Sequence, residues 1–318
     1  MTTIDYTLIP LTVIGGFLGA GKTTYLNRLI QGGLPKDALI IVNDFGDINI
    51  DAALIDYRDD SIIQLSNGCV CCTLGGTLAE QLAQALRIRA APGAILIEAS
   101  GVANPARIAD IARISRRLRL AEVVCIIDGS RARQHAENPL IGEAWQTQLA
   151  AADKLLVNRL DPADRQESEK WLKQFNSWAH IEYEIERTPD SVRTQPSPRL
   201  LKPKAKRLSS HGHWHTFSLS GRTRIDKERL ETLIAAYQEV LFRAKGFLLA
   251  EHSSSTELLQ FSGGRLHWQS ALRAPQETRL VFIGIAGERF SHFEQAVQGL
   301  LRKSASSEIV LTSEPAAK

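Results

Sequence analysis

The sequence predicts two domains in series: a layered α/β domain on a parallel sheet with helices on both faces, then a smaller α+β domain. Three observations predict it. The first half alternates short apolar runs with longer amphipathic stretches, which is the order of repeated strand–helix units. Most of those runs are continuously apolar, as in strands buried on both faces of a parallel sheet. After about residue 187 the character changes: residues 188–210 hold Pro189, Pro196, Pro198 and Pro203 among basic and small polar residues, a linker or mobile loop. At 318 residues the chain also exceeds the roughly 250–300 at which a single core splits. The expected division is 1–187, a linker over 188–210, a second domain over 211–303, and a disordered tail over 304–318.

Taken in order, residues 8–14 read as a first strand, with Pro10 marking an irregular start or an edge. Residues 23–30 read as a helix and 38–42 as a second strand. A helix over 77–89 leads to a third strand over 94–98, and a helix over 103–118 to a fourth over 123–128. The fifth strand is 154–158. The second domain reads as strands over 215–219, 246–251, 258–262, 265–270 and 279–286. Its helices are expected around 227–244 and over 291–302.

Hydrophobic residues make up 44% and charged residues 23% of the chain, an ordinary globular composition. The 38 basic and 35 acidic residues leave a net charge of +3. So even a balance argues against a nucleic-acid or membrane partner. No run approaches the roughly 18 apolar residues of a membrane span. Met1 to Tyr6 carry no basic region followed by an apolar one, so no secretory signal is read and the cytoplasm is the expected address.

The sharpest motif is Gly16-Phe17-Leu18-Gly19-Ala20-Gly21-Lys22-Thr23. It matches the phosphate-loop pattern in full and lies between a predicted strand and a predicted helix. Glycines let the backbone curl its N–H groups toward phosphate oxygens, and the helix N-terminus adds positive potential. Lys22 is placed to reach the β- and γ-phosphates and the Thr23 hydroxyl to ligate Mg²⁺. The second strand runs into Asn43-Asp44-Phe45-Gly46-Asp47, and the third ends in Glu98-Ala99-Ser100-Gly101. Acids at strand C-termini sit where such sheets place ligand-facing groups. Glu98 suits the second magnesium-binding position. Gly101 offers a backbone N–H to the γ-phosphate with no side chain in the way. Asp44 and Asp47 suit the site, and equally suit helix caps.

Two further motifs concern the base and a soft metal. Asn158-Arg159-Leu160-Asp161 resembles the Asn-Lys-x-Asp guanine-reading motif. A carboxylate at Asp161 can accept from the guanine N1–H and N2–H₂, and the stem and planar head of Arg159 can cover the base. GTP is therefore the expected nucleotide. Of the four cysteines, Cys69, Cys71 and Cys72 fall within four residues. Clustered thiols suit Zn²⁺ or Cu(I), and three ligands leave a position open for transfer, with Asp47 as a fourth contact. Core packing or a redox pair are the other readings. Cys125, inside an apolar run, reads as a core residue. His211, His213 and His215 would share one face of a strand. They form a possible secondary site for Zn²⁺, Ni²⁺ or Co²⁺, or an exposed polar strand.

Together these residues resemble the CobW-like family of metal-handling P-loop GTPases. The matching pieces are residues 16–24, Asn43-Asp44-Phe45-Gly46-Asp47, Gly68-Cys69-Val70-Cys71-Cys72, Glu98-Ala99-Ser100-Gly101 and Asn158-Arg159-Leu160-Asp161. In the second half, Arg243-Ala244-Lys245-Gly246-Phe247-Leu248 and Leu280-Val281-Phe282-Ile283-Gly284 join them. The resemblance covers about residues 8–303. It implies a SIMIBI-class GTPase followed by a CobW-type C-terminal domain. Gly16, Gly19, Ala20, Gly21, Lys22, Thr23, Thr24, Asp44, Gly101, Asn158 and Asp161 would then bind nucleotide. Zinc would be held at Cys-x-Cys-Cys and passed to a client protein as GTP is hydrolysed. Three positions depart from the usual pattern: Asp44 stands where many members have glutamate, Val42 where some are acidic, and Arg159 where lysine is usual. Other branches of the family handle cobalt for cobalamin synthesis or mature nickel enzymes. A metal-responsive regulatory or storage protein with incidental GTPase activity, and a P-loop transferase acting on a small molecule, are the competing functions.

Overall fold

The computed structural model describes residues 8–35, 37–43, 62–65, 78, 80, 82–83, 86–87, 92–184, 214–222, 224–251, 256–270, 277–302 and 310–315. The chain divides into two compact units, the first holding all strands up to residue 183 and the second those from 214 onward. The expected linker over 188–210 lies outside the described residues.

Among the described residues the first unit is a seven-stranded, wholly parallel sheet. Its strands are β1 (Ile9–Gly16), β2 (Leu39–Asn43), β3 (Ile62–Leu65), β4 (Ile95–Glu98), β5 (Leu118–Asp128), β6 (Lys154–Asn158) and β7 (His180–Tyr183). They lie in the order β3-β2-β4-β1-β5-β6-β7. The helices are α1 (Lys22–Gln31), α2 (Pro105–Ile114), α3 (Ala132–Glu137), α4 (Gly142–Ala150) and α5 (Arg165–Phe175), with a 3₁₀ turn over Pro162–Asp164. Consecutive strand residues enter different cores. Val13, Ile41 and Ile97 pack with Ile108, Ala109 and Ala112 of α2 and with the helical Leu78, Leu82 and Leu86. Ile14, Ile40 and Leu96 pack with Leu26 and Leu29 of α1. Two buried faces per strand is what the continuous apolar runs require.

The sequence expectations need correction at several points. β3 and β7 were not foreseen; each is four residues long and closes one edge of the sheet. The helix expected over 103–118 stops at Ile114, and β5 begins at Leu118 instead of 123. Leu118 and Leu120 are buried while Arg119 between them is exposed, an alternation of strand period that the flanking arginines hide. Pro10 stands in a central strand and not at a sheet edge. Its side toward β4 carries no ladder, because that pairing starts at Leu11↔Ile95. The strand is irregular there, with a register shift against β5 between Leu11 and Thr12.

The second unit is a six-stranded antiparallel sheet. It comprises β8 (Trp214–Gly221), β9 (Leu241–Leu249), β10 (Thr256–Ser262), β11 (Arg265–Ser270), β12 (Thr278–Ile285) and β13 (Val310–Pro315). Helices α6 (Lys227–Ala236) and α7 (Glu288–Arg302) complete it. Leu230 and Ile234 of α6 and Phe290, Phe293 and Val297 of α7 bury against Phe217, Ala244, Leu259 and Phe282. The helix expected to reach 244 ends at Ala236, and Leu241–Ala244 belong to β9. The expected disordered tail is corrected at 310–315, which pairs antiparallel with β8; the open edge of β8 supplies the backbone partners that a sequence reading cannot see. No helix among the described residues is long and apolar enough to cross a membrane.

Candidate functional site

The C-terminal ends of β1, β4, β5 and β6 carry the motif residues. β1 runs directly into the phosphate loop, where Gly16, Gly19 and Gly21 have φ of 131°, 75° and 103°. These are left-handed torsions that only glycine adopts readily. Gly21 caps α1 with no side-chain hydrogen bond, and the first turn of α1 holds no acid. By contrast, Asn104 and Asp226 cap α2 and α6 with their own side chains. The α1 N-terminus is thus capped by no side chain, an arrangement that suits an anion. The Lys22 side chain is buried and its Nζ donates to the carbonyls of Gly16 and Phe17, at 3.0 and 3.2 Å.

Thr23 and Glu98 come from α1 and the end of β4, and the Thr23 hydroxyl donates to Glu98 Oε1 at 2.9 Å. Glu98 is almost fully buried. The pairing of β1 with β4 through Ile14↔Glu98 brings the two together. Two hard oxygen donors beside a phosphate loop are of the type that Mg²⁺ takes. Gly101 follows on the same strand exit. A Cβ there would lie 2.9 Å from Leu18 Cα in the phosphate loop, so its missing side chain lets these two loops touch.

The loop after β6 is tied to the phosphate loop from the other side. Asn158 is buried, and its Nδ2 donates to Ala20 O at 2.7 Å. Its Oδ1 has no hydrogen-bond partner among the described residues. Arg159, at φ 51°, is the one non-glycine residue with positive φ among those described. Its Nη1 donates to Gly19 O at 3.0 Å and to Asp128 Oδ2 at 2.7 Å. Asp161 is exposed and its Oδ1 accepts from Ala163 N, capping the 3₁₀ turn. Thr24 is exposed on α1.

Three residues that sequence reasoning missed border this site. Asp128 ends β5 and accepts from Arg159 and from Ser130; its place at a strand C-terminus was the available signal. His135 packs against Phe17, the rings tilted by 55° with centroids 5.0 Å apart. Burial, then the neighbouring Arg131, lowers its pKa to about 4, against a smaller opposing pull from Asp128. Gln148, on α4, donates to the carbonyls of Gly101 and Ala103. Nothing in the sequence pattern marks either side chain. Cys125 is buried and burial pushes its thiol up to about 12, so it stays protonated in the core.

Asp44, Asp47, Cys69, Cys71, Cys72, His211 and His213 lie outside the described residues. His215 points to the helix-covered side of its sheet, with Phe290 at 5.5 Å and Glu294 Oε2 at 3.5 Å. Among the described residues no group of three or more His, Cys, Asp or Glu side chains comes together to hold a metal.

The family model for the CobW/HypB/UreG nucleotide-binding domain matches residues 10–182, and that for the cobalamin synthesis protein cobW C-terminal domain matches 214–303. The chain is 33% identical over 185 residues to the zinc chaperone CobW of a Sinorhizobium species, covering 49% of this chain and 52% of that protein. It is 30% identical over 182 residues to the zinc chaperone YjiA of Escherichia coli, covering 54% and 56%. The chain thus matches only about half the length of these curated relatives. Among solved structures it is similar to the Zn(II)-bound YjiA GTPase of E. coli, with a TM-score of 0.42 and 20% identity over 92% of this chain and 99% of that one. It is also similar to HypB from Helicobacter pylori in complex with nickel, with a TM-score of 0.39 and 16% identity over 57% and 80%. One family model spans residues 10–182 of the 318, and by it the chain belongs to the CobW/HypB/UreG family.

Proposed function

We propose that this chain is a GTP-hydrolysing metallochaperone that binds zinc, or a related transition metal, at Cys69, Cys71 and Cys72 and passes it to a client protein. The observation that carries the nucleotide half is the Thr23–Glu98 contact at the mouth of the phosphate loop. Two oxygen donors there, one of them an almost fully buried carboxylate, are of the type that a hard cation takes. Thr23 and Glu98 would hold Mg²⁺, whose chemistry when bound is to neutralise charge on the β- and γ-phosphates. Lys22 Nζ exchanges its carbonyl partners for phosphate oxygens, the α1 N-terminus receives the same anion, and Gly101 presents its N–H to the γ-phosphate. Asn158 and Asp161 read the guanine edge, and Arg159 covers the base while gripping Gly19.

The metal half rests on the Cys-x-Cys-Cys motif and on relatives named as zinc chaperones. Zinc is the cargo. In the sequence Asp44 and Asp47 follow β2 and the thiols follow β3, and the reading is that the γ-phosphate biases both segments, as in order–disorder switches. Hydrolysis would then loosen the metal.

The test is zinc affinity by chelator competition, with GDP or a slowly hydrolysed GTP analogue bound, beside a Cys69→Ser/Cys71→Ser/Cys72→Ser variant. Tight, thiol-dependent binding that differs between the two nucleotides is expected. Equal affinity in both states would remove the coupling, since a ligand indifferent to two states shifts neither, and would favour the storage reading. Binding that survives loss of the thiols would move the site to the histidines.

A further inference from the structure

We propose that Gln148 is a positioning residue for GTP hydrolysis: from α4 it holds the peptides around Gly101, so that the Gly101 N–H is set before the γ-phosphate arrives. The inference rests on the GTPase reading above. Gln148 Nε2 donates to Gly101 O at 2.9 Å and to Ala103 O at 3.0 Å. Both acceptors are carbonyls, so only the amide nitrogen can make these bonds. The Ser100 carbonyl accepts from Ala103 N at 3.0 Å. Both peptides flanking Gly101 are therefore fixed, one by the turn and one by Gln148.

Packing closes the remaining freedom. Gly101 abuts Leu18 of the phosphate loop with no room for a Cβ. The strand exit just before it is anchored by Ala99 N, which donates to Ile14 O at 2.8 Å. A loop so held cannot move without breaking the Gln148 bonds.

The side chain is 1% exposed, and its Oε1 has no hydrogen-bond partner among the described residues. A buried acceptor left over is unfavourable, and an apolar residue of similar size would fill the same space without it. What the amide adds is two donors aimed at one loop. Donors preset toward developing charge accelerate phosphoryl transfer only if they need not reorganise. Misplacing such a group by about 1 Å lowers turnover about 100-fold.

The experiment compares wild type with Gln148→Met, which keeps length and loses both donors, and Gln148→Glu, which keeps shape and turns acceptors toward two carbonyls. GTP turnover, GDP affinity and amide hydrogen exchange over residues 99–106 are measured on the full chain. In Gln148→Met, turnover should fall about 100-fold, GDP affinity should hold, and exchange at 101–103 should quicken. Gln148→Glu should be slower still. If folded Gln148→Met keeps both wild-type turnover and wild-type exchange, the assignment is wrong. A variant that loses GDP affinity in step with turnover marks a general structural role, which also overturns it. Wild-type protein that hydrolyses no GTP would overturn the function reading alone, because the exchange contrast still tests whether Gln148 holds the loop.

Discussion

The phosphate loop and the loop after β6 meet at one end of the parallel sheet, yet they are shaped by different means. The phosphate loop takes its form from backbone torsions, at Gly16, Gly19 and Gly21. The loop after β6 takes its form from side chains that reach back to that backbone, Asn158 to Ala20 O and Arg159 to Gly19 O. A backbone-shaped loop tolerates almost no substitution, because a Cβ is forbidden by geometry. A loop tied by side chains should lose its grip by degrees, because each hydrogen bond is worth only about 1 kcal/mol net.

The largest effect should come from Gly16→Ala. Its φ of 131° is unfavourable to any side chain, and the new Cβ would collide with Ile126 O in β5. Strain and overpacking together should cost about 3 to 5 kcal/mol. Urea unfolding should show that loss, and nucleotide binding should vanish with it. A mild effect would mean that the loop is not held by its torsions.

An intermediate effect belongs to the packing that backs the phosphate loop. His135, packed against Phe17, has its pKa lowered from 6.5 to about 4, mainly by burial. The folded protein keeps the ring neutral while the unfolded chain takes up a proton below pH 6.5. The stabilisation is therefore complete above that pH and is lost as pH falls toward 4. Between pH 7 and 4.5 the loss should be about 2 to 3 kcal/mol, read from unfolding midpoints. His135→Phe should remove that part of the pH dependence, and an unchanged slope would sink the assignment.

The smallest effect should come from Arg159→Lys. The lysine keeps the charge and can donate to two oxygens from one nitrogen, as Arg159 Nη1 does, but its shorter reach and freely rotating ammonium hold Gly19 O and Asp128 less firmly. The side chain is 44% exposed, so the ion pair is screened and its loss should cost under about 1 kcal/mol. Calorimetric affinities for GTP and ATP should shift by less than about fivefold. A large loss would show that this link sets the loop as firmly as the glycines set the other.

The two loops also differ in how far the sequence revealed them. The glycine spacing announced the phosphate loop, since those torsions admit few other residues. Asn158 and Asp161 were visible as a motif, but their reach to Ala20 and to the 3₁₀ turn was not. Asp128, His135 and Gln148 gave little or no local signal. They act on residues far away in the chain, and Gln148 reaches the Gly101 loop from a helix more than 40 residues later. The same holds for the elements. Apolar runs marked β2, β4 and β6, because burial on two faces leaves one pattern. β3, β7 and β13 were missed because short edge strands are defined by the neighbour that pairs with them. The starts of β5 and β9 were masked by charged residues that read as helix.

By itself, the sequence determined the α/β class, the place of the phosphate loop between β1 and α1, and the two-part division of secondary-structure types. These follow from periodicity and from backbone torsions, which are local properties. Only the tertiary structure decided the strand order β3-β2-β4-β1-β5-β6-β7, the pairing of Thr23 with Glu98, and the convergence of Asn158, Arg159 and Gln148 on two loops. Those depend on which distant backbone groups need hydrogen bonds once the core has formed, and burial, not sequence spacing, sets that need.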